Sequence, residues 1–274
     1  MKKLNIKEIK QIELSILKFF HEFCEENKLT YYLAYGTLLG AVRHKGFIPW
    51  DDDIDVYMPR KDYEKFLKEF DKKNTNELFK TISVYDYTNY YIQFAKLIYT
   101  KTTVYEKRLC VDIPIGIWLD IFPLDNMSND YQKAILLHKK VKIFNILRVH
   151  KIQNFKFSAN KNIMDNFKVL IHKIIQKLIF FIPLKYLMRK INNLSQKYKN
   201  EEYSKYIGYV ASTDNSFLLE REWFKERVLI VFENYKFWVP KEWDKVLKNN
   251  YGNYMQLPPE NKRVDHLIEA YWKD

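Results

Sequence analysis

Four carboxylates fall within five consecutive residues, Asp51-Asp52-Asp53-Ile54-Asp55, and run without a break into the apolar Val56-Tyr57-Met58. Any fold of this chain must therefore carry a self-repelling cluster to the mouth of a buried strand. Successive strand side chains point to opposite faces, so a strand that includes all three odd positions sets Asp51, Asp53 and Asp55 on one face, with Asp52 turned away. Carboxylates this close are tolerated in water or around a cation. Hard oxygen ligands on a rigid strand suit Mg²⁺, which takes one or two carboxylates, waters and the phosphates of a substrate. A solvated acidic turn is the plainer alternative.

Two other features bear on that choice. Upstream, the short apolar run Tyr31-Tyr32-Leu33-Ala34 reads as a buried strand, and Gly36-Thr37 turns it into a helix through Arg43. A strand feeding a helix start offers free backbone N–H groups and the Thr37 hydroxyl to a phosphate. Downstream, Asp120 stands alone in the apolar run Trp118-Leu119-Asp120-Ile121-Phe122. An unpaired buried carboxylate there would be strongly destabilising. A metal shared by Asp53, Asp55 and Asp120 removes that penalty; a hydrogen bond or an edge position for Asp120 would also do so.

The 274 residues are 47% hydrophobic and 29% charged, enough to bury a core in one large or two small domains and unlike a disordered tail. Cys24 and Cys110, the only cysteines, rule out a disulfide framework or a four-thiolate zinc site, and neither sits in a reactive arrangement. Glu8 and Glu13 interrupt what would be the apolar centre of a signal peptide, so the N-terminal stretch reads as a first helix. The apolar stretch Lys177 to Leu187 is broken by Pro183 and far shorter than the roughly 18 residues a membrane crossing needs.

Charge is unevenly placed. Between Tyr131 and Asn200 there are 16 Lys or Arg and a single acid, Asp165, whereas the rest of the chain has 30 basic residues against 33 acidic ones. Such local charge argues against a nucleic-acid partner for the whole surface. Within this stretch Phe167, Leu170, Ile171, Ile174, Ile175, Leu178, Ile179 and Ile182 recur every three or four residues, with Lys168, His172, Lys173, Gln176 and Lys177 between them. That pattern is an amphipathic helix, either packing its stripe on the protein or lying on an anionic membrane. His138, His150 and His172 follow no ligand spacing and are expected on solvated helix positions.

Periodicity predicts helices over Ile6 to Asn27 and Arg60 to Phe70, strands at Phe79–Val84, Tyr91–Tyr99 and Gly116–Phe122, the last stopped by Pro123, and helices from about Asn129 to Lys199. A hairpin Val228–Phe232, Glu233-Asn234, Tyr235–Val239 and a short helix from Pro240 follow. The expected class is α+β, in three parts: a core over 1–128, a basic helical insert over 129–200, and a C-terminal hairpin-and-helix piece over 201–274 that packs back on the core.

Taken together, these residues carry a resemblance. Gly36-Thr37, Asp53-Ile54-Asp55-Val56 and a third acid on a later strand look like the core signature of the nucleotidyltransferase superfamily. The longer string from Tyr35 through Gly40-Ala41-Val42-Arg43-His44-Lys45-Gly46-Phe47-Ile48-Pro49-Trp50 to Asp55, and the tail Tyr251-Gly252-Asn253-Tyr254-Met255-Gln256-Leu257-Pro258-Pro259, resemble the LicD family of phosphocholine transferases, relatives of fukutin and fukutin-related protein. The resemblance implies a nucleotidyltransferase-like mixed sheet flanked by helices. It further implies transfer of phosphocholine from CDP-choline, or of another CDP-alcohol's head group, to a hydroxyl of a surface glycan or its lipid-linked precursor, of teichoic acid or lipopolysaccharide type, releasing CMP.

On that reading Asp53 and Asp55 bind Mg²⁺, with Mn²⁺ as substitute, and Asp120 is third ligand or base on the attacking hydroxyl. Asp51 supports the metal or acts as base. Gly36, Thr37, Arg43, His44, Lys45, Arg263 and His266 face the substrate, although the Arg43–Lys45 loop could equally just balance the acids. A choline cage from Tyr90, Tyr91, Trp118 or Tyr254 is a further expectation, since aromatic faces hold quaternary ammonium groups. The implied location is cytoplasmic, peripheral on the inner membrane face. A true nucleotidyltransferase acting on a protein, small molecule or RNA end, and a non-catalytic membrane-associated assembly module, are the competing readings.

Overall fold

The computed structural model describes residues 1–85, 90–105, 115–153, 163–201, 203–213, 217–260, 263 and 269–273; Cys110 and His266 lie outside them. Helix α1 (Ile6–Glu26) opens with a capping box in which Asn5 and Glu8 satisfy each other's backbone N–H. Its Ile9, Ile12, Ile16, Phe20 and Phe23 form the buried stripe that periodicity predicts. Strand β1 (Tyr32–Leu33) leads into α2 (Tyr35–Arg43), then come β2 (Asp55–Pro59) and α3 (Arg60–Lys73). Only Asp55 of the acidic run belongs to the strand, which corrects the expectation that Asp51 and Asp53 lie on it: they sit in the preceding loop.

The main sheet adds β3 (Phe79–Ile82), β4 (Ala95–Tyr99) and β6 (Trp118–Ser128), in the order β1-β2-β6-β4-β3. The pair β2·β6 is parallel and the others are antiparallel, so the sheet is mixed and the class is α+β. β6 is central and almost wholly buried, which explains its continuous apolar run. It does not stop at Pro123. On one edge β6 pairs with β4 through Ile121; from Asp125 it pairs with β7 (Tyr206–Gly208), which in turn pairs with β8 (Leu219–Glu220). Pro123 falls between the two partners, where its missing N–H is not required. Strand β5 (Thr102–Tyr105), which periodicity missed, pairs with β11 (Glu269–Trp272) from the far end of the chain.

The basic stretch supplies α4 (Tyr131–Ile152), α5 (Ile163–Leu178) and α6 (Leu184–Ser195). Ala134, Leu137 and Val141 of α4 belong to the same hydrophobic cluster as the sheet. His138 is not solvated: it is buried, stacks on Phe217 with ring centroids 3.5 Å apart, and bonds the Val210 carbonyl oxygen at 3.0 Å. His150 is also buried, under α5. The predicted hairpin forms as β9 (Arg227–Phe232) and β10 (Tyr235–Pro240), with Glu233 and Asn234 both at positive φ, as a type I′ turn requires. α7 (Trp243–Tyr251) follows.

The β2–α3 junction is held by Arg60, whose Nε and Nη2 donate to Asp125 Oδ1 and Oδ2 at 2.6 and 2.8 Å. Asp125 is buried and Arg60 largely so. Breaking such a pair leaves a buried charge uncompensated. Arg60→Met is expected to lower the unfolding free energy by about 3–5 kcal/mol in chemical denaturation, and Arg60→Met/Asp125→Leu to recover most of it. Equal stability of the wild type and the single variant would contradict this account.

Candidate active site

Three backbone contacts aim the acidic strand start. The Asp55 N–H donates to Thr37 Oγ1 at 2.8 Å, the Ala34 N–H donates to the Asp55 oxygen at 2.9 Å, and the Asp120 N–H donates to the Ile54 oxygen at 2.8 Å. Thr37, buried in the first turn of α2, thus orients Asp55, a role distinct from the phosphate contact expected of it. A Cβ at Gly36 would overlap Asp51 Oδ2, so glycine lets the acidic loop close on the start of α2. Likewise a Cβ at Gly40 would strike the Gly46 carbonyl oxygen. Tyr35 begins the helix at φ 38°, a strained value for a residue with a side chain.

Parallel pairing puts Asp55 directly opposite Asp120, and antiparallel pairing puts Lys96 opposite Asp120 on the other side. All three are buried. Lys96 Nζ lies 2.7 Å from Asp120 Oδ1 and 3.7 Å from the Trp118 ring centroid. Asp120 is therefore not the lone buried charge its strand suggested. The same logic applied to Lys96, the single charge between Ile92 and Tyr99, would have found its partner. The Asp55 carboxyl is held well above the usual range, first by burial and then by Asp53, Asp120 and Asp51, with Lys96 opposing. Behind the loop, Glu13 of α1 is buried and raised in the same way, by burial and then by Asp53 and Asp52. Asp52 is buried and does not line the cleft.

These acids open into a cleft of about 450 Å³. Asp51, Asp53, Asp55 and Asp120 line it together with Gly36, and so does Arg148 of α4, which the sequence reading missed. Arg148 Nε donates to Asn145 Oδ1 at 2.7 Å, and its Nη1 donates to the Tyr91 oxygen. The aromatic wall consists of Tyr35, Phe94, Phe122, Tyr209 and Tyr251. Phe122 lies 4.2 Å from Phe94 and about 5 Å from both Tyr35 and Tyr209 between ring centroids, at 5.2 Å each. None of Tyr90, Tyr91, Trp118 and Tyr254 lines the cleft, which corrects that expectation.

Arg43, His44, Lys45 and Arg263 are also absent from the lining. Arg43 donates to His44 Nε2 at 2.9 Å and to the Tyr254 oxygen at 2.8 Å, tying α2 to the tail. Lys45 is exposed, at positive φ. Arg263 donates to the Pro258 oxygen at 2.9 Å and stacks over Trp50. A larger cleft of about 940 Å³ at the other end of β2 and β6 is lined by Arg60, Asp125 and Arg221. There Arg60 is neutralised by Asp125 and Arg221 donates to Asn126 and the Ser204 oxygen, which is structural bonding.

Among the described residues no three His, Cys, Asp or Glu side chains are arranged to hold a metal ion. The donor chemistry nonetheless fits a hard divalent cation. Buried Asp55 and its neighbours Asp53 and Asp51 concentrate negative charge that Lys96, engaged with Asp120, only partly offsets. Mg²⁺ needs only one or two protein carboxylates.

The family profile described as the nucleotidyltransferase domain of LicD/FKTN/FKRP matches residues 28–145. The chain is 32% identical over 278 residues, 99% of each sequence, to the lipopolysaccharide cholinephosphotransferase LicD of Haemophilus influenzae. Uncharacterized proteins of Rickettsia typhi and Rickettsia prowazekii are 39% and 38% identical over 74 and 76 residues, about a quarter of this chain.

The role of Thr37 is testable by stability. Thr37→Val removes the acceptor and leaves the buried Asp55 N–H unpaired, at an expected cost of about 1–3 kcal/mol, whereas Thr37→Ser keeps the acceptor and most of the stability. Equal losses for the two variants would show that the methyl group, and not the hydrogen bond, matters.

Proposed function

The chain belongs to the LicD family, and from that premise we propose that it transfers phosphocholine from CDP-choline to a hydroxyl of a cell-surface glycan or its lipid-linked precursor, with release of CMP. The observation that carries this reading is the shared lining of one cleft by Asp53, Asp55, Asp120, Arg148 and a wall of aromatic rings. The acceptor oxygen forms a bond to the choline-side phosphorus, the bond from that phosphorus to the CMP phosphate breaks, and the hydroxyl proton passes to a carboxylate. Such chemistry depends on positioning and charge neutralisation.

Asp53 and Asp55 would hold Mg²⁺, a two-carboxylate set that Mg²⁺ accepts, with Asp120, paired with Lys96, or Asp51 as the base. When bound, the ion neutralises charge on the diphosphate. The backbone amides at the start of α2, around Gly36, suit a phosphate oxygen, and the Arg148 guanidinium suits the diphosphate or the departing CMP. Tyr35, Phe94, Phe122 and Tyr209 offer ring faces to the quaternary ammonium group. The full-length similarity to a lipopolysaccharide cholinephosphotransferase supports lipopolysaccharide as the acceptor class. An anionic membrane on its cytoplasmic side is the partner that a lipid-linked acceptor calls for.

Incubation with Mg²⁺ and CDP-choline is expected to release CMP in the presence of a glycan acceptor, and CDP-choline, not ATP, should raise the melting temperature. Asp53→Asn and Asp55→Asn are each expected to lower turnover by about a thousandfold or more with no loss of melting temperature, because they relieve repulsion. Pyrophosphate release from a nucleoside triphosphate, or retained turnover in either variant, would overturn the assignment.

A further inference from the structure

Helix α5 turns its apolar side outward. At 100° per residue Met164, Phe167, Ile171, Ile174 and Leu178 share one face, and all are exposed, Leu178 by 76%. The face toward α4 carries Val169, His172 and Gln176: His172 Nδ1 is 2.9 Å from His150 Nδ1, and Gln176 Nε2 donates to the His150 and Gln153 oxygens at 2.7 and 3.0 Å. A helix on a globular core buries its apolar stripe; of the stripe expected from the sequence only Ile179 is buried, with Ile175 and Ile182 half-buried, while Phe167, Leu170, Ile171, Ile174 and Leu178 are exposed, so the packing expectation holds only in part. The stripe continues into Phe180 and Phe181, the latter 87% exposed. Exposed Lys168 borders it on one side, and exposed Lys173 and Lys177 on the other. On α4, Leu136, Ile143 and Ile146 are exposed on the side from which His150, two turns beyond Ile143, meets α5.

We propose that this face seats on a lipid bilayer bearing anionic headgroups, with α5 in the plane of the interface and Phe180-Phe181 as its deepest insertion. This deepens the membrane partner named in the proposed function by assigning the element that makes the contact. Charge complementarity selects the occupant: the stretch carries 16 basic residues against one acid, which attracts an anionic surface. A second copy of the chain would bring the same positive rim against itself. Lysines bordering an apolar stripe extend their heads to the phosphates while their stems stay with the acyl boundary. Among the described residues no helix is long and apolar enough to cross a membrane, so the contact is one of lying on the surface. α5 is also well placed for a lipid-linked acceptor. Lys151 Nζ, one turn beyond cleft-lining Arg148 on α4, donates to the Ile179 and Phe180 oxygens at 3.1 Å.

The test is flotation of the full chain with vesicles of phosphatidylglycerol and phosphatidylethanolamine, compared with phosphatidylcholine alone, at low and high salt. The wild type is expected to float only with the anionic vesicles, and less at high salt. Lys168→Gln, Lys173→Gln and Lys177→Gln should each lower partitioning by about fivefold, and Phe180→Ser/Phe181→Ser by more than about tenfold, with melting temperatures unchanged because these side chains are exposed. Absent flotation, salt-insensitive flotation, or flotation that the Phe and Lys variants leave intact overturns the proposal. So does self-association without flotation that Phe180→Ser/Phe181→Ser abolishes, which would make the face a dimer contact. Transfer to a water-soluble glycan is measured alongside. Retained transfer with lost flotation supports the docking face, while a wild type that floats but releases no CMP overturns the reaction and supports the docking face.

Discussion

One rung of the sheet sets the terms for the rest of the structure. Lys96, Asp120 and Asp55 sit side by side across β4, β6 and β2, and residues in register on adjacent strands share a face. At the usual strand spacing of about 4.8 Å their charges interact strongly once buried. One lysine faces two carboxylates before Asp53 and Asp51 are counted. The sheet holds this imbalance because Lys96 is fixed from two directions, by Asp120 and by the face of Trp118, and because Thr37 and Ile54 fix the backbone of the two acids. With the sides of the rung closed by neighbouring strands, the remaining direction for compensation is the cleft. A cationic or metal-bearing substrate complex is the species such a cleft is suited to receive.

What could be read from the sequence followed from features whose physics is local. The apolar stripe of α1, the strand-to-helix turn at Gly36, the positive-φ pair at Glu233 and Asn234 and the place of Asp120 in a buried strand each need only neighbouring residues to interpret. The misreadings share a cause, a partner far away in sequence. Pro123 ends no strand because β6 exchanges β4 for β7 at that point, and β7 lies some eighty residues on. β5 is legible only once β11 is known. His138 looked solvated on a lysine-rich helix, but residues 210 and 217 cover it. Arg148 could not be told from the other basic residues of its stretch without knowing which face of α4 turns inward.

The cleft is correspondingly a composite. β2, the loop before it and β6 contribute the acids, the α2 start a backbone, and α4 the cation, while Tyr209 and Tyr251 come from later segments that return to the sheet. The basic loop Arg43–Lys45, adjacent in sequence to the acids, instead braces α2 against the tail and the hairpin: Arg43 reaches the Tyr254 oxygen and the Lys45 oxygen accepts the Glu233 N–H. Proximity along the chain pointed to cations that do not line the cleft, and the one that does, Arg148, lies almost a hundred residues away.

α4 explains why the charge of the chain is segregated. Its inner side is apolar where it meets β6, polar at Asn145 and Arg148 where it meets the cleft, and it joins α5 through His150 and Lys151. A single rigid helix thus spans from the acidic rung to the basic, outwardly apolar surface of α5. Further positive charge on the rung's own strands, beyond Lys96, would neutralise the acids; placed beyond α4 it leaves them available to the cleft. An anionic surface attracted to α5 would then meet the protein on a side where the field is positive, while the acids stay screened behind the helix. On the proposed reading this geometry lets one small chain hold a negatively charged bilayer and a cluster of carboxylates at once, since the exposed Lys168, Lys173 and Lys177 of α5 meet the bilayer while the acids line the cleft.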